Sequence, residues 1–327
     1  MNTLLRVTCL VALIAGSAVA QAQQAAKVPR IGFLSGLDLA SLGTSRVEAF
    51  RKGLKELGYI EGKNIVVEYR WAEGKFDRVP DLVAELNRLK VEVIVTAGPS
   101  ATRGAKQATA TIPIVMAFDS DPVGSGFVAT LARPGGNITG LSMIAPEVAG
   151  KQLDVLKQIV PRLGRVAVLG DSKEPGNGRT LQEIEDIART LAVQVHKLDI
   201  RAFKDIDEAF HVVRKERPDA LIVLSSTIIH VNRAQVAALA SKSRLPAMYP
   251  YPDQVDAGGL VTYSVNLDDL YRRAATYVHK ILNGANPAHL PVEQPFKFDL
   301  VINLKAAKQI GLEIPMSMLA RADRVIH

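Results

Sequence analysis

The sequence predicts an α/β protein of two doubly wound parallel-sheet lobes joined by a three-crossing hinge. Three observations predict it. With 327 residues, 48% of them hydrophobic and 22% charged, the chain can bury two ordinary cores. From residue 29 onward, apolar β-rich runs alternate with stretches of helical periodicity, the signature of strand–helix units and parallel sheets. After a turn made by Arg133, Pro134, Gly135, Gly136 and Asn137, the alternation restarts near residue 144.

In the first half, 29–35 reads as a buried strand. Residues 45–57 read as a helix with its apolar stripe at Val47, Phe50, Leu54 and Leu57, stopped by Gly58. Strand 64–71, helix 77–89, strand 91–96, helix 100–109, strand 112–118, helix 122–131 and strand 138–143 follow. The second half reads as helix 147–160, strand 165–169, helix 179–191, strand 193–199, helix 206–215, strand 220–224, helix 232–242 and strand 246–249. A strand at 258–263, a helix at 267–282 and a strand at 296–302 complete the chain. About eleven strands suit two sheets, and right-handed crossovers put helices on both faces of each. The late units assign 28–143 plus 253–284 to an N-terminal lobe and 144–252 plus 285–327 to a C-terminal lobe. The crossings then fall near 143–145, 249–252 and 283–287.

Residues 1–22 read as a cleavable signal peptide. Arg6 supplies the early positive charge, 7–19 is apolar, and Ala18, Val19, Ala20 and Ala20, Gln21, Ala22 both fit small-x-small cleavage. The apolar run is about 13 residues, short of the roughly 20 needed to span a bilayer. The expected compartment is the periplasm. The one cysteine, Cys9, lies inside this leader and too early for a lipoprotein site.

Composition and motifs exclude several functions. The formal charge of +7, from 40 basic and 33 acidic residues, is spread along the chain and gathers into no phosphate-tracking stripe, which argues against nucleic acid. The histidines at 196, 211, 230, 279, 289 and 327 form no metal-binding spacing. The GxGxxA string at 124–129 lies past a strand end, inside a predicted helix, and 98–106 lacks the Gly-Lys-Ser/Thr of a phosphate loop. No Ser stands in a GxSxG elbow. The expectation is a protein with no cofactor, no metal and no catalytic residues.

In open parallel sheets ligands sit at the strand carboxyl ends, where helix N-termini present free N–H groups. Those tips nominate Ser35, Gly36, Thr96, Gly98, Ser100, Asp119, Asp121, Asp171, Ser226, Tyr249 and Tyr263 as ligand-binding residues. Ser100 reads as an N-cap beside amides that could hold a carboxylate. Asp119 or Asp121 could take an ammonium group, and Tyr249 or Tyr263 could stack on an apolar body. Together they suggest an amino-acid-like, aromatic or carboxylate solute. Ser100, Asp119 and Asp121 also precede predicted helices, where they would serve equally as caps.

Several segments of the chain resemble a known family. Ile31, Gly32, Phe33, Leu34, Ser35; Phe50, Arg51, Lys52, Gly53, Leu54; Leu57, Gly58, Tyr59; and Glu61, Gly62, Lys63, Asn64 are similar to the ABC-transporter substrate-binding family that includes the streptococcal tryptophan/tyrosine binder. So are Asp121, Pro122, Val123; the turn at 133–137 with Ile138, Thr139, Gly140; 298–305; and Ala320, Arg321, Ala322, Asp323. The resemblance implies a type I periplasmic binding protein fold, a small-molecule ligand held between lobes, and an ABC permease of the inner membrane as partner. The resulting expectation is a monomeric solute receptor of an importer. The alternatives are a periplasmic sensor for a membrane receptor, which shares the fold, and an exported α/β enzyme, which lacks a nucleophile–base pair.

Overall fold

The computed structural model describes residues 28–327. The leader read at 1–22, with Cys9, lies outside the described residues.

Five parallel strands form the first sheet: β1 (Arg30–Ser35), β2 (Val66–Trp71), β3 (Val93–Ala97), β4 (Ile114–Asp119) and β5 (Ile138–Ser142), in the order β2-β1-β3-β4-β5. Every residue of β3 and β4 is buried, because helices cover both faces. Helices Thr44–Glu56 and Leu267–Leu282 close one face, with Phe33, Phe50, Leu54, Tyr271 and Val278 in a common core. Helices Val79–Arg88 and Pro99–Ala108 close the other. Val79, Leu82, Val83 and Leu86 face inward at the spacing of one helical stripe.

The second sheet has seven strands: β6 (Arg165–Gly170), β7 (Gln194–Asp199), β8 (Ala220–Val223), β9 (Ala247–Tyr249), β10 (Val261–Val265), β11 (Phe298–Asn303) and β12 (Arg324–Ile326). Their order is β12-β11-β10-β9-β8-β6-β7, and β10 meets β11 antiparallel while the other pairs are parallel. Helices Ala145–Ile159 and Asn177–Thr190 pack on one face, and Asp205–Glu216 and Arg233–Lys242 on the other.

Three details correct the sequence reading. The segment 253–284 does not belong wholly to the first lobe: Pro252–Asp256 and β10 join the second, and only helix Leu267–Leu282 returns to the first. Likewise 285–293 stays with the first lobe, where Thr139 Oγ1 donates to Leu290 O at 2.7 Å and Val292 N to Leu131 O at 2.7 Å. Alternation of apolar residues identified β10 but not its sheet, which hydrogen-bonding partners decide. The crossings therefore lie at 142–145, 265–267 and 293–298. They run side by side: Ser142 N donates to Glu293 O at 3.0 Å, and Asn266 N to Lys297 O at 3.0 Å. The helix expected at 122–131 is instead a series of turns, in which Asp121 Oδ1 accepts from Gly124 N at 3.0 Å and Gly126 adopts φ +69°.

Candidate solute-binding cleft

The carboxyl ends of β1, β3 and β4 face those of β6, β8 and β9 across a narrow cleft, about 450 Å³ counting its open mouth but with only about 40 Å³ wide enough for water-sized molecules. The first lobe supplies Gly36, Arg46, Phe76, 97–101 and Phe118; the second supplies Glu174, 225–227, His230 and Tyr251. Gly36 is required by packing, since a Cβ there would meet Phe76 Cε1 at 2.5 Å, so its absence lets the ring form the wall. Gly98, at φ +99°, caps helix Pro99–Ala108 and turns the chain so that the helix N-terminus opens on the cavity. Pro99 has no N–H, and Thr102 N makes the first helical bond, to Gly98 O at 3.1 Å, so the amides of Ser100 and Ala101 are the free donors of this turn.

Both rims of the cleft are tied across the lobes. On one side Ser100 Oγ donates to Glu174 Oε1 at 2.8 Å and Arg103 Nη2 to Lys173 O at 2.7 Å. Toward the hinge Arg179 Nη1 pairs with Asp121 Oδ1 at 3.1 Å. On the other side Arg46 Nη2 pairs with Asp253 Oδ2 at 3.1 Å, and His230 Nε2 lies 2.8 Å from Ser41 O. Tyr251 stands between these, its hydroxyl 2.5 Å from Ser225 Oγ and its ring beneath the Arg46 guanidinium at 5.8 Å.

Burial sets the electrostatics. It raises the Glu174 carboxyl to about 7, against the Ser100 hydrogen bond and Arg103, which favour the anion. Asp119, wholly buried and facing Asp121 and Glu174, is also pushed up. Burial pushes His230 down, with Asp253 opposing and Arg46 reinforcing. The cleft thus carries a helix N-terminus suited to an anion, a buried carboxyl suited to a cation, and a wall of Phe76, Phe118 and Tyr251 suited to an apolar body.

Of the residues nominated from strand tips, Gly36, Gly98, Ser100 and Ser226 line the cavity. Ser100 is not the N-cap expected of it; Gly98 is, which leaves the Ser100 hydroxyl free to reach Glu174. Ser35 lies one residue too deep, its Oγ accepting from Leu37 N at 3.0 Å. Thr96 is buried beneath the site, 2.8 Å from Thr102 Oγ1. Asp119 and Asp121 lie behind the wall; Asp119 Oδ1 accepts from Asp121 N at 3.0 Å. Asp171 lines a separate hollow at the ends of β6 and β7. Tyr249 is a core residue, its ring where a Gly259 Cβ would come within 2.7 Å. Tyr263 stacks on Phe298 at 5.8 Å, away from the cleft. In both tyrosines the strand pleat turns the ring into the lobe, whereas Tyr251 follows the Pro250 turn and reaches the cavity. Arg46 comes from the first turn of helix Thr44–Glu56, His230 from the short helix Thr227–Val231 and Glu174 from the loop beyond the tip of β6, positions that inspection of the strand ends alone does not reach. Phe118, Ser225, Thr227 and Tyr251 stand in the same strand-tip segments as the nominated residues and line the cavity as well.

Residues 40–326 match the model of a family described as ABC transporter substrate binding protein. The chain belongs to this family. Its fold, two parallel-sheet α/β lobes about a cleft, is that of type I periplasmic binding proteins. It is similar to a conserved domain protein from Vibrio cholerae (25% identity, TM-score 0.86, covering 91% of this chain and 100% of that one). It is similar also to the ABC domain in complex with L-Trp from Streptococcus pneumoniae (27% identity, TM-score 0.85, covering 91% and 99%). The tyrosine-binding protein of Clostridioides difficile is 23% identical over 287 residues, 88% of this chain and 82% of that protein. Among the described residues, no helix is long and apolar enough to cross a membrane, and no group of three His, Cys, Asp or Glu could hold a metal ion.

Proposed function

We propose that this substrate-binding protein captures an aromatic, amino-acid-like solute between its lobes in the periplasm and presents it to the permease of an ABC importer. One observation carries the reading: a single cavity whose walls come from both lobes and whose rims are joined by lobe-to-lobe hydrogen bonds. A solute that touches both walls favours the closed arrangement by its differential affinity for it. The solute carboxylate sits at the Ser100 and Ala101 amides, its ammonium at Glu174, and its ring among Phe76, Phe118 and Tyr251. The L-Trp complex and the tyrosine-binding relative support this ligand class. Export follows from the leader at 1–22, with cleavage after Ala20 or Ala22, and a monomer suffices because one chain forms the whole cavity.

The test is calorimetric titration and thermal shift of the mature protein against amino acids and aromatic acids. A ligand present at 100 times its Kd stabilises by about 2.7 kcal/mol, a shift of a few degrees. Stabilisation by no solute, or turnover of one, overturns the reading.

A further inference from the structure

His230 is 3% exposed and lines the cavity, yet only one of its ring nitrogens is accounted for. Nε2 lies 2.8 Å from Ser41 O across the lobe boundary. A carbonyl oxygen can only accept, so Nε2 carries the hydrogen. Asp253 Oδ2, 3.5 Å from Nε2, is engaged by Arg46 at 3.1 Å, and burial with the Arg46 and Arg233 charges keeps the imidazole neutral. Nδ1 is then a bare acceptor. It is buried and has no partner among the described residues. The ring meets Tyr251 edge-on, centroids 5.7 Å apart at 80°, on the aromatic side of the cavity. A buried acceptor left unpaired is costly, and a site built around one rejects ligands that lack the matching donor.

We propose that His230 Nδ1 reads a hydrogen-bond donor on the ring of the solute, a phenolic hydroxyl or an indole N–H, and so selects hydroxylated or nitrogen-bearing rings over plain phenyl. The inference rests on the proposed function and names a specificity determinant within its cavity.

The experiment compares matched pairs by calorimetry: tyrosine with phenylalanine, and tryptophan with its N1-methyl derivative. The expected result is that wild type binds the donor-bearing member about tenfold tighter or more. His230→Gln, whose amide can still donate to Ser41 O, is expected to bind both members of a pair with affinities within about twofold. ¹⁵N spectra of wild type, which need no variant, should show the Nδ1 resonance shifting with tyrosine and not with phenylalanine. If wild type binds both members equally, or His230→Gln keeps the preference, the inference is overturned while the proposed function stands. Binding of neither member of either pair overturns both.

Discussion

The Ser100 hydroxyl donates to the Glu174 carboxyl across the cleft at 2.8 Å, joining the first turn of a helix in one lobe to a loop of the other. Two residues 74 positions apart thus sense whether the lobes are together. Ser100→Ala should leave Glu174 without this partner and weaken the closed arrangement by about 1 kcal/mol. Tyrosine or tryptophan affinity is expected to fall roughly fivefold. Small-angle scattering of the ligand-free variant should show a larger radius of gyration than wild type; an unchanged radius and affinity would deny the contact any role in closure.

Glu174 also gives stability a pH dependence. Its carboxyl, ordinarily at 4.5, is raised to about 7, so between those values the unfolded chain has lost a proton that the native protein keeps. The contribution of Glu174 to stability is therefore fullest below pH 4.5, falls as pH rises toward 7, and levels off above it. Asp119, raised in the same direction, adds to the fall. Melting curves of Glu174→Gln against wild type isolate the effect: the difference in Tm should grow in the variant's favour from pH 5 to 7.

The pairing of Tyr249 and Tyr251 separates stability from binding. Tyr249 is buried in the second lobe, and Tyr249→Ala should cost about 3–5 kcal/mol in urea unfolding, an aromatic truncation in a packed core. Tyr251 lines the cavity and touches Ser225. Tyr251→Ala is expected to cost at least tenfold in affinity for an aromatic amino acid. Equal loss of affinity in both variants would place the cavity wrongly.

Gly53 sets the approach of helices Thr44–Glu56 and Leu267–Leu282. A Cβ there would lie 2.2 Å from Arg272 O and 2.9 Å from Ala275 Cβ. Although alanine is the better helix former, Gly53→Ala should destabilise by about 1–3 kcal/mol, because the helices must part. Chemical denaturation would show it, and a gain in stability would mean the helix pair has slack.

Strand and helix order was legible because apolar residues repeat at periods of two and 3.6 whatever the strand's sheet: the stripe Val47, Phe50 and Leu54 lies buried as its spacing requires. The strand ends pointed to Gly36, Gly98, Ser100 and Ser226 because a parallel sheet fixes which end opens on the cleft. Tyr249 and Tyr251 differ only in which side of a turn they occupy, and Arg46 and His230 reach the cavity from helices that no strand-end rule inspects.

The sequence by itself determined the alternation of strands and helices through local periodicity, and its short motifs carried the resemblance to the family, which implied the cleft between two lobes. Only the tertiary structure decided that β10 joins the second sheet, that Glu174 meets Ser100, and that His230 keeps one nitrogen unpaired. Those facts depend on pairings between residues distant in the chain, and hydrogen-bond partners and burial are properties of the packed whole.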